Sequence, residues 1–316
     1  MKQKNIIQII ILLFVIGTLG FIAYSTQQKI AAQNISSGFG FLQEESGFEI
    51  SESLIEYSSF DTYKKALTAG VLNTLKVSVL GNFLALILGI LVGISLLSSN
   101  ILVEKICRSY VEVMRNTPLL LQLFFWYTLM SSLLPAPQEA FSFAGAFFSN
   151  RGVAIPWFEW SSFSWSYPQL KAFNFEGGRT LSIEFSALLF GLVTYTAAFI
   201  AEIIRAGLLS VSKGQWEAGS TLGLSSWQTI KLIIFPQALR VAIPPLTSQI
   251  LNLTKNSSLA VAIAYPDFVS VANTIMNQTG QALEVILLIL LVYLTFSLLT
   301  AVFMNWYNKK IALVER

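Results

Sequence analysis

Apolar residues occur in long runs along this chain, and shorter polar stretches separate the runs. The runs cover residues 6–24, 70–98, 117–134, 185–204, 237–253 and 282–306. An α-helix rises about 1.5 Å per residue, so about 20 apolar residues cross the hydrocarbon core of a bilayer. The pattern therefore predicts an all-α membrane protein, a polytopic helical bundle with about six transmembrane helices.

The first run is predicted to be an N-terminal transmembrane anchor over residues 1–25. Lys2 and Lys4 precede it. A cleaved signal peptide is the alternative, but its apolar region usually has only about 7–15 residues and ends at a small-residue cleavage site. Since this run is longer and shows no convincing A-x-A site, we expect a retained anchor.

Two stretches between the runs are predicted to lie outside the membrane. Residues 26–65 are polar and acidic, and residues 135–184 form an insertion that is rich in aromatic residues, proline and glycine. No apolar run in the insertion reaches spanning length. We interpret it as a cap on the outer surface with aromatic rings at the interface. A hairpin that dips into the membrane is the alternative.

Glycine and proline give two local predictions inside the runs. Gly89 and Gly93 have the four-residue spacing that lets membrane helices approach closely, so we expect them to pack within the bundle. Pro244 and Pro245 interrupt the fifth run. Because proline removes a backbone donor, we expect the helix to kink or break there.

Polar residues cluster at the end of the fifth run: Asn252, Lys255, Asn256 and Ser258. Such groups cost free energy at the end of an apolar span unless they face water, a cavity or a partner. Broken, polar segments mark the solute path in transporters, and we predict that role here. A lysine that snorkels to the interface is the alternative.

The polar stretch over residues 212–236 separates the fourth and fifth runs. Ser212 and Gln215 have the spacing of a capping box, which predicts a helix that begins at Lys213. Gly223 is predicted to end this helix, because glycine commonly forms the C-terminal cap.

A second capping-box spacing, Ser225 and Gln228, predicts another helix toward Pro236. An apolar face typical of an interfacial helix is expected on it. That face comprises Trp227, Ile230, Ile233 and Ile234.

Composition narrows the class of protein. Of the 316 residues, 54% are hydrophobic and 12% are charged, against about 25% charged in soluble domains. The absence of histidine excludes His-based acid–base catalysis and His metal sites. Cys107 is the one cysteine, so no internal disulfide can form. The chain also lacks a P-loop, and we expect no catalytic site, cofactor, metal or nucleic-acid partner.

The polar stretch also carries a longer motif. Glu217-Ala218-Gly219, then Gly223, then IIFP at residues 233–236 resembles the EAA motif of bacterial ABC importer permeases, which reads E-A-A, three residues, G, nine residues, I-x-L-P. Gly219 stands where the second alanine is usual, and Phe235 stands where leucine is usual. Gly219 is expected to lower the stability of the short helix by about 1 kcal/mol relative to alanine.

Two further segments, residues 110–127 and 228–259, resemble polar amino acid permeases. The resemblance covers most of residues 66–306. The long insertion is similar to that of the branch that serves general or acidic and amide amino acid uptake.

This resemblance implies a type I transmembrane domain over residues 66–306 with a cytoplasmic coupling loop at residues 212–236. Glu217, Ala218, Gly219 and Gly223 would then dock on a separate ATP-binding subunit. The implied partners are a dimer of that subunit, a second permease that is a related chain or a copy of this one, a periplasmic solute-binding protein, an amino acid solute and membrane lipid.

Charge supports one orientation in a bacterial inner membrane. When both termini, the tail at residues 307–316 and the coupling loop are placed in the cytoplasm, 12 of the 20 Lys and Arg lie inside. Short basic loops on that side satisfy the positive-inside rule. Three alternatives stay open: a permease for another solute, a secondary transporter that uses no ATPase, and, disfavoured by the lack of histidine and of carboxylate pairs, a membrane enzyme.

Overall fold

The computed structural model describes residues 38–159, 162–171 and 174–311, together with positions 13, 14, 16–18, 20, 21, 24, 25 and 28. The anchor predicted over residues 1–25 therefore lies largely outside the described residues, as does the end of the predicted cytoplasmic tail.

Eight α-helices organise the described part of the chain. They are α1 (Tyr63–Ser95), α2 (Ile101–Asn116), α3 (Leu119–Leu133), α4 (Ile183–Leu209), α5 (Lys213–Thr221), α6 (Phe235–Asn256), α7 (Phe268–Thr279) and α8 (Ala282–Ile311). A helical turn at Ser226–Thr229 and a π-helical turn at Ile230–Ile234 lead into α6, and a 3₁₀ helix at Ser257–Ile263 follows it. Four of these helical stretches are long and apolar enough to cross a membrane: Tyr63–Ser95, Ile183–Leu209, Trp227–Ile263 and Ala282–Asn308. The shorter α3 is also apolar.

Helix α4 lies at the centre of the bundle. Its most apolar window is 67% buried, whereas that of α8 is only 6% buried and so is left for lipid or another chain. Helices α1, α2, α3 and α6 all pack against α4. Small residues permit this close packing: Gly191, Ala197, Ala198, Ala201 and Gly207 are buried in α4. Helix α4 is followed after three residues by α5, so the central helix of the bundle connects directly to the loop at residues 212–236.

The predicted glycine face of α1 packs within the bundle, as expected. A Cβ atom on Gly89 would lie 2.5 Å from Ile200 Cγ2, and one on Gly93 would lie 2.8 Å from the Ala201 carbonyl oxygen. Both distances are below any real side-chain contact, so α1 and α4 meet at a separation that only glycine allows.

A kink or a break was predicted at Pro244 and Pro245, and the break does not occur. Helix α6 continues through both prolines to Asn256. Membrane helices tolerate proline where neighbouring helices hold the segment. Here Ala242 and Leu246 are buried on either side of the prolines and belong to the cluster that packs against α4. The change of helix type comes later, at Ser257.

The insertion departs from the predicted all-α class. Its described residues form eight short strands: β1 (Phe141–Phe143), β2 (Ala146–Ser149), β3 (Gly152–Ile155), β4 (Trp157–Glu159), β5 (Ser164–Ser166), β6 (Gln169–Lys171), β7 (Asn174–Glu176) and β8 (Arg179–Leu181). They make one four-stranded antiparallel sheet in the order β1-β2-β3-β8 and two hairpins, β4-β5 and β6-β7. The four-stranded sheet has Phe148 opposite Val153, and Val153 opposite Leu181. Strands of three or four residues are too short to cross a bilayer, since a transmembrane strand needs about 9–11 residues.

The acidic segment before α1 is folded against the bundle rather than extended. Glu45 forms a β-bridge with Thr62, and Thr62 caps α1 by accepting from the Lys65 backbone N–H. Asp61 forms an ion pair with Lys65 at 2.8 Å. Phe41, in a 3₁₀ turn at Gly40–Gln43, is buried in a cluster with residues of α1 and α7.

The stability of the protein is expected to fall as the pH rises from about 4 to about 7, because of Asp267. This residue caps α7, since its Oδ1 accepts from the Ser270 backbone N–H at 2.8 Å. Burial raises the pKa of Asp267 to about 7. The folded state therefore holds a proton that the unfolded state releases. The resulting stabilisation is fully present below about pH 4 and is lost as the pH rises through the folded pKa.

The variant Asp267→Asn keeps an acceptor for the cap and removes the titration. Its melting temperature is expected to fall less than that of the wild type between pH 5 and pH 8. Parallel melting curves for the two proteins across this range would contradict the assignment.

Candidate coupling surface and solute path

Helix α5 begins at Lys213, as predicted, but not through the predicted capping box. The Ser212 side chain makes no cap hydrogen bond, and the Gln215 backbone N–H instead donates to the Ser212 carbonyl oxygen at 3.0 Å. The Gln215 side chain accepts from the Gln237 amide at 3.2 Å. The capping-box prediction at Ser212 was therefore wrong, because a contact with α6 takes the glutamine that the box requires.

The end of α5 is the predicted one. Gly223 has φ +73°, the left-handed conformation that glycine adopts at little cost. The Leu224 N–H donates to the Gly219 carbonyl oxygen at 3.1 Å, and the Gly223 N–H donates to that of Ser220 at 3.0 Å. These two bonds form a Schellman motif, which satisfies the free carbonyl groups at the helix end.

The second predicted capping box is present. The Gln228 N–H donates to Ser225 Oγ at 3.3 Å, and the Ser225 N–H donates to Gln228 Oε1 at 2.9 Å. Of the predicted apolar face, Ile234 is buried and Trp227 is exposed. The segment therefore buries Ile234 on one side and exposes the indole ring of Trp227 on the other.

A packing contact explains why glycine and not alanine stands at position 219, and the sequence motif did not predict this contact. It is buried against Thr229, and a Cβ atom at Gly219 would lie 2.5 Å from Thr229 Cγ2 and 2.7 Å from Thr229 Oγ1. Alanine, which is usual at this motif position, would collide with the threonine. The departure from the motif is thus matched to the residue that α5 packs against.

Gly219→Ala is expected to destabilise the loop by about 1–3 kcal/mol, the usual cost of overpacking, despite the better helix propensity of alanine. Thr229→Ala removes the two colliding atoms, so the double variant is expected to recover most of that loss. A double-mutant cycle on melting temperature, with uptake measured in parallel, tests this coupling. Additive effects would show that the two side chains do not compete for space.

The remaining predicted coupling residues lie on the surface. Glu217 and Ala218 are exposed, and Glu217 is about 200° around the helix from the buried Gly219. Glu217, Trp216, Ser220 and Thr229 line a shallow depression of about 400 Å³. Helix α5 therefore presents a carboxylate, a small side chain and an open depression away from the rest of the chain.

The predicted solute-path residues share one face at the end of α6, but that face points away from the bundle. Asn252 and Lys255 are exposed, whereas their neighbours Leu253 and Thr254 are buried. Lys255 forms no ion pair within the part of the chain that the structure describes. Asn256 and Ser258 are half-buried, and Ser258 Oγ donates to the Lys255 carbonyl oxygen at 2.7 Å. A path lined by these residues would lie between this chain and another one.

A polar stripe on α1 was not predicted from the sequence. Thr74, Ser78 and Asn82 recur every four residues, and Thr74 and Ser78 are buried. Thr74 Oγ1 accepts from the Phe268 N–H at 3.0 Å, and the Asn82 amide approaches Thr254 Oγ1 at 3.4 Å. The four-residue spacing of polar side chains inside an apolar run is a signal that could have identified the stripe.

An ion cluster lies beside the centre of the bundle. Glu202 and Arg205, three residues apart on α4, form an ion pair at 2.9 Å. Arg115, just before α3, adds a second guanidinium 4.0 Å from the Glu202 carboxylate and lies over the Phe199 ring. Two arginines thus neutralise one glutamate at the junction of α2 and α4.

Comparison with known families assigns the chain. The family described as "Binding-protein-dependent transport system inner membrane component" matches residues 85–313, which is more than two thirds of the sequence. The chain belongs to this family. It is therefore a multi-pass protein of the inner membrane, and its predicted resemblance to ABC importer permeases is confirmed.

Two relatives match this chain along nearly its whole length. It is 42% identical to the general L-amino acid transport system permease protein AapQ of Rhizobium johnstonii, over 100% of this chain and 94% of the relative. It is 37% identical to the glutamate/glutamine/aspartate/asparagine transport system permease protein BztB of Rhodobacter capsulatus, over 98% and 94% of the two chains. The predicted likeness to polar amino acid permeases is thus confirmed.

One solved structure has a fold similar to that of this chain. The crystal structure of an amino acid ABC transporter with histidines contains a chain with a TM-score of 0.59 and 23% identity. The match covers 78% of this chain and 95% of that chain. At this identity the likeness shows the fold, which is that of an ABC importer permease.

Proposed function

We propose that this chain is the permease subunit of an ATP-driven amino acid importer. It forms part of the translocation path and couples to a separate ATPase through α5 and the loop at residues 212–236. The observation that supports this best is the exposed surface of Glu217 and Ala218 on a short helix with a C-terminal glycine cap, in a chain whose full-length relatives are amino acid transport permeases. The substrate class follows from those relatives.

The transmembrane domain comprises residues 66–306, and the anchor at residues 1–25 adds a sixth span. Both termini and α5 face the cytoplasm, whereas the acidic segment and the insertion face the periplasm. Two features support this orientation: the basic character of the short loops on the α5 side, and the position of the insertion between the far ends of α3 and α4.

Two permeases sit on a dimer of ATP-binding subunits, and a periplasmic binding protein delivers the solute. The second permease is a related chain or a copy of this one. The outward-facing cluster of Asn252, Lys255, Asn256 and Ser258 supports a path at the junction of the two permeases. Lys255 has no ion pair among the described residues, and a lysine at the end of a span needs a polar surrounding.

Movement of the ATP-binding subunits drives transport. When they close on ATP, they carry α5 with them. Since α5 follows α4 after a three-residue connection, the displacement reaches the central helix and tilts the spans packed around it. ATP hydrolysis then resets the bundle. This chain supplies α5, which transmits the movement, and part of the solute path, and it needs no nucleotide site of its own.

Reconstitution tests this function. Proteoliposomes that hold the permease pair, the ATPase and the loaded binding protein are expected to accumulate radiolabelled amino acid only when ATP is present. Accumulation without the ATPase would establish a secondary transporter instead. A thermal shift of the binding protein with sugars but not with amino acids would establish a permease for another solute.

A further inference from the structure

A half-buried charge pair lies at the end of the bundle opposite α5, where three distant parts of the chain meet. The Lys76 ammonium, in α1, and the Ser182 hydroxyl, at the N-terminus of α4, both donate to the Glu52 carboxylate in the acidic segment. The side chains of Lys76 and Glu52 are only 14% and 18% exposed. Because the cost of partly desolvating two charges offsets their attraction, the pair is weak evidence of a purely stabilising role.

Two buried groups beside this pair have no hydrogen-bond partner among the described residues. Asn73 lies one helical turn before Lys76, and its amide nitrogen donates to the carbonyl oxygens of Glu52 at 2.7 Å and Pro266 at 2.9 Å. Its Oδ1 is unpartnered, and so is the hydroxyl of the fully buried Tyr265. Unpartnered polar atoms are rare in native interiors, and each one requires an explanation.

The Phe185 ring places these groups in one cluster. The Lys76 ammonium lies 3.9 Å from the centre of that ring, and the Tyr265 ring lies 5.7 Å from it. Donors and acceptors are therefore present together around one aromatic surface. The donors are the Lys76 ammonium and the hydroxyls of Tyr265 and Ser182. The acceptors are the Glu52 carboxylate and Asn73 Oδ1.

We propose that Glu52, Asn73, Lys76, Ser182 and Tyr265 form a subsite for the α-carboxylate and α-ammonium groups of the amino acid during its passage. The inference rests on the proposed function. In the structure the cluster is closed, and Lys76 and Glu52 neutralise each other. When this end opens, a zwitterion pairs its carboxylate with Lys76 and its ammonium with Glu52, so neither charge loses a partner.

The Tyr265 hydroxyl and Asn73 Oδ1, which have no partner among the described residues, supply two further hydrogen bonds to the zwitterion. The Tyr265 hydroxyl donates a further hydrogen bond to the carboxylate of the solute, and Asn73 Oδ1 accepts one from its ammonium. Since the subsite contacts only groups that all α-amino acids share, it selects for the zwitterion and not for the side chain.

Tyr265→Phe gives the sharpest test. It is measured in proteoliposomes that hold the complete transporter, with radiolabelled L-glutamate, L-glutamine and L-alanine as probes. Loss of an unpartnered hydroxyl is expected to leave the melting temperature unchanged or higher, because no hydrogen bond in the fold is lost. Uptake is nevertheless expected to fall at least about fivefold through a higher KM, since the solute loses a donor.

Tyr63→Phe is the matched control. Tyr63 is another buried tyrosine at the same end of the bundle, and its hydroxyl donates to Gln278 at 3.1 Å. This variant is expected to show the reverse result: a lower melting temperature and unchanged uptake per folded transporter. A Tyr265→Phe variant that behaves in this way would overturn the subsite.

Charge variants supply the second arm. Lys76→Gln and Glu52→Gln are each expected to lower uptake at least about tenfold, while ATP hydrolysis without solute persists. Asp61→Asn and Lys65→Gln, which disrupt a more exposed ion pair on the same segment and helix, are expected to leave uptake unchanged. The conclusion needs only Tyr265→Phe if a charge variant does not fold.

The outcomes separate the two proposals. A wild-type transporter that takes up amino acids, together with unchanged KM in Tyr265→Phe and in the charge variants, would overturn the subsite alone. A wild-type complex that takes up no amino acid would overturn the proposed function, and the subsite with it.

Discussion

Glu217→Lys is expected to reduce ATP-driven uptake at least about tenfold while the permease stays folded in the membrane. Glu217 is exposed on the face of α5 opposite the buried Gly219 and forms no ion pair within the described chain. Among the described residues, the substitution therefore breaks no ion pair. A reversed charge at a docking surface can cost several kcal/mol, and 1.4 kcal/mol already corresponds to a tenfold change in affinity.

The measurement has two parts: uptake in proteoliposomes, and copurification of the ATPase with a tagged permease. Both are expected to fall together. Glu217→Gln, which keeps the size and removes the charge, is expected to give an intermediate result. Normal uptake and normal copurification in Glu217→Lys would show that the ATPase does not dock at this face.

Ala218 offers a steric control at the same surface. Ala218→Ser is expected to resemble the wild type, whereas Ala218→Trp is expected to lose coupling because an indole prevents close approach of a partner. An identical loss in the serine and tryptophan variants would indicate damage to α5 itself rather than a blocked interface.

Local chemistry explains why parts of the coupling surface could be predicted. A left-handed C-terminal cap depends on one residue, so Gly223 alone marks the end of α5. The reciprocal bonds of Ser225 and Gln228 likewise involve neighbours in sequence. The long apolar spans are predictable for a similar reason, because a membrane selects for run length and hydropathy.

The wrong predictions share a cause, which is a contact between residues distant in sequence. Gln215 leaves the capping box for Gln237, and the helix through Pro244 persists because its flanks are buried against α4. A distant contact also accounts for Gly219, whose expected cost in helix propensity stays a prediction, because the lack of a side chain makes room for Thr229. Local rules describe the tendency of each segment, and tertiary packing decides between competing tendencies.

Neither the strands of the insertion nor the contacts among Glu52, Lys76 and Ser182 could be predicted from the sequence, and the reasons are related. Strands of three or four residues are too short for a period-two pattern to emerge, and β3 pairs with β8 across a long loop. Nothing in the sequence links Glu52 to Lys76 or to Ser182. Only the folding of the acidic segment against the bundle brings these three residues together.

Gly89→Ala is expected to destabilise the bundle by about 1–3 kcal/mol, a large effect for the addition of one methyl group. The new Cβ would lie 2.5 Å from Ile200 Cγ2, 2.6 Å from Ile200 Cβ and 3.0 Å from the Ala197 carbonyl oxygen. Neither a Cβ atom nor a backbone oxygen can move without moving α4. The clash therefore has to be relieved by separating the two helices.

Gly81→Ala is the matched control on the same helix. There the new Cβ would lie 3.2 Å from Leu253 Cδ2, the end of a flexible side chain that can rotate away. Thermal unfolding of the purified protein is expected to show a clear loss for Gly89→Ala and a small one for Gly81→Ala. Equal melting temperatures for the two variants would contradict the rigid contact between α1 and α4.

The same two variants also test the proposed function, because α4 connects the glycine contact to α5. If α1 and α4 are forced apart at Gly89, the position of α5 relative to the bundle changes even though no residue of the coupling surface is altered. Uptake per folded transporter is therefore expected to fall in Gly89→Ala and to be retained in Gly81→Ala. Retention of full uptake in both variants would mean that movement of α5 does not depend on close packing of these two helices.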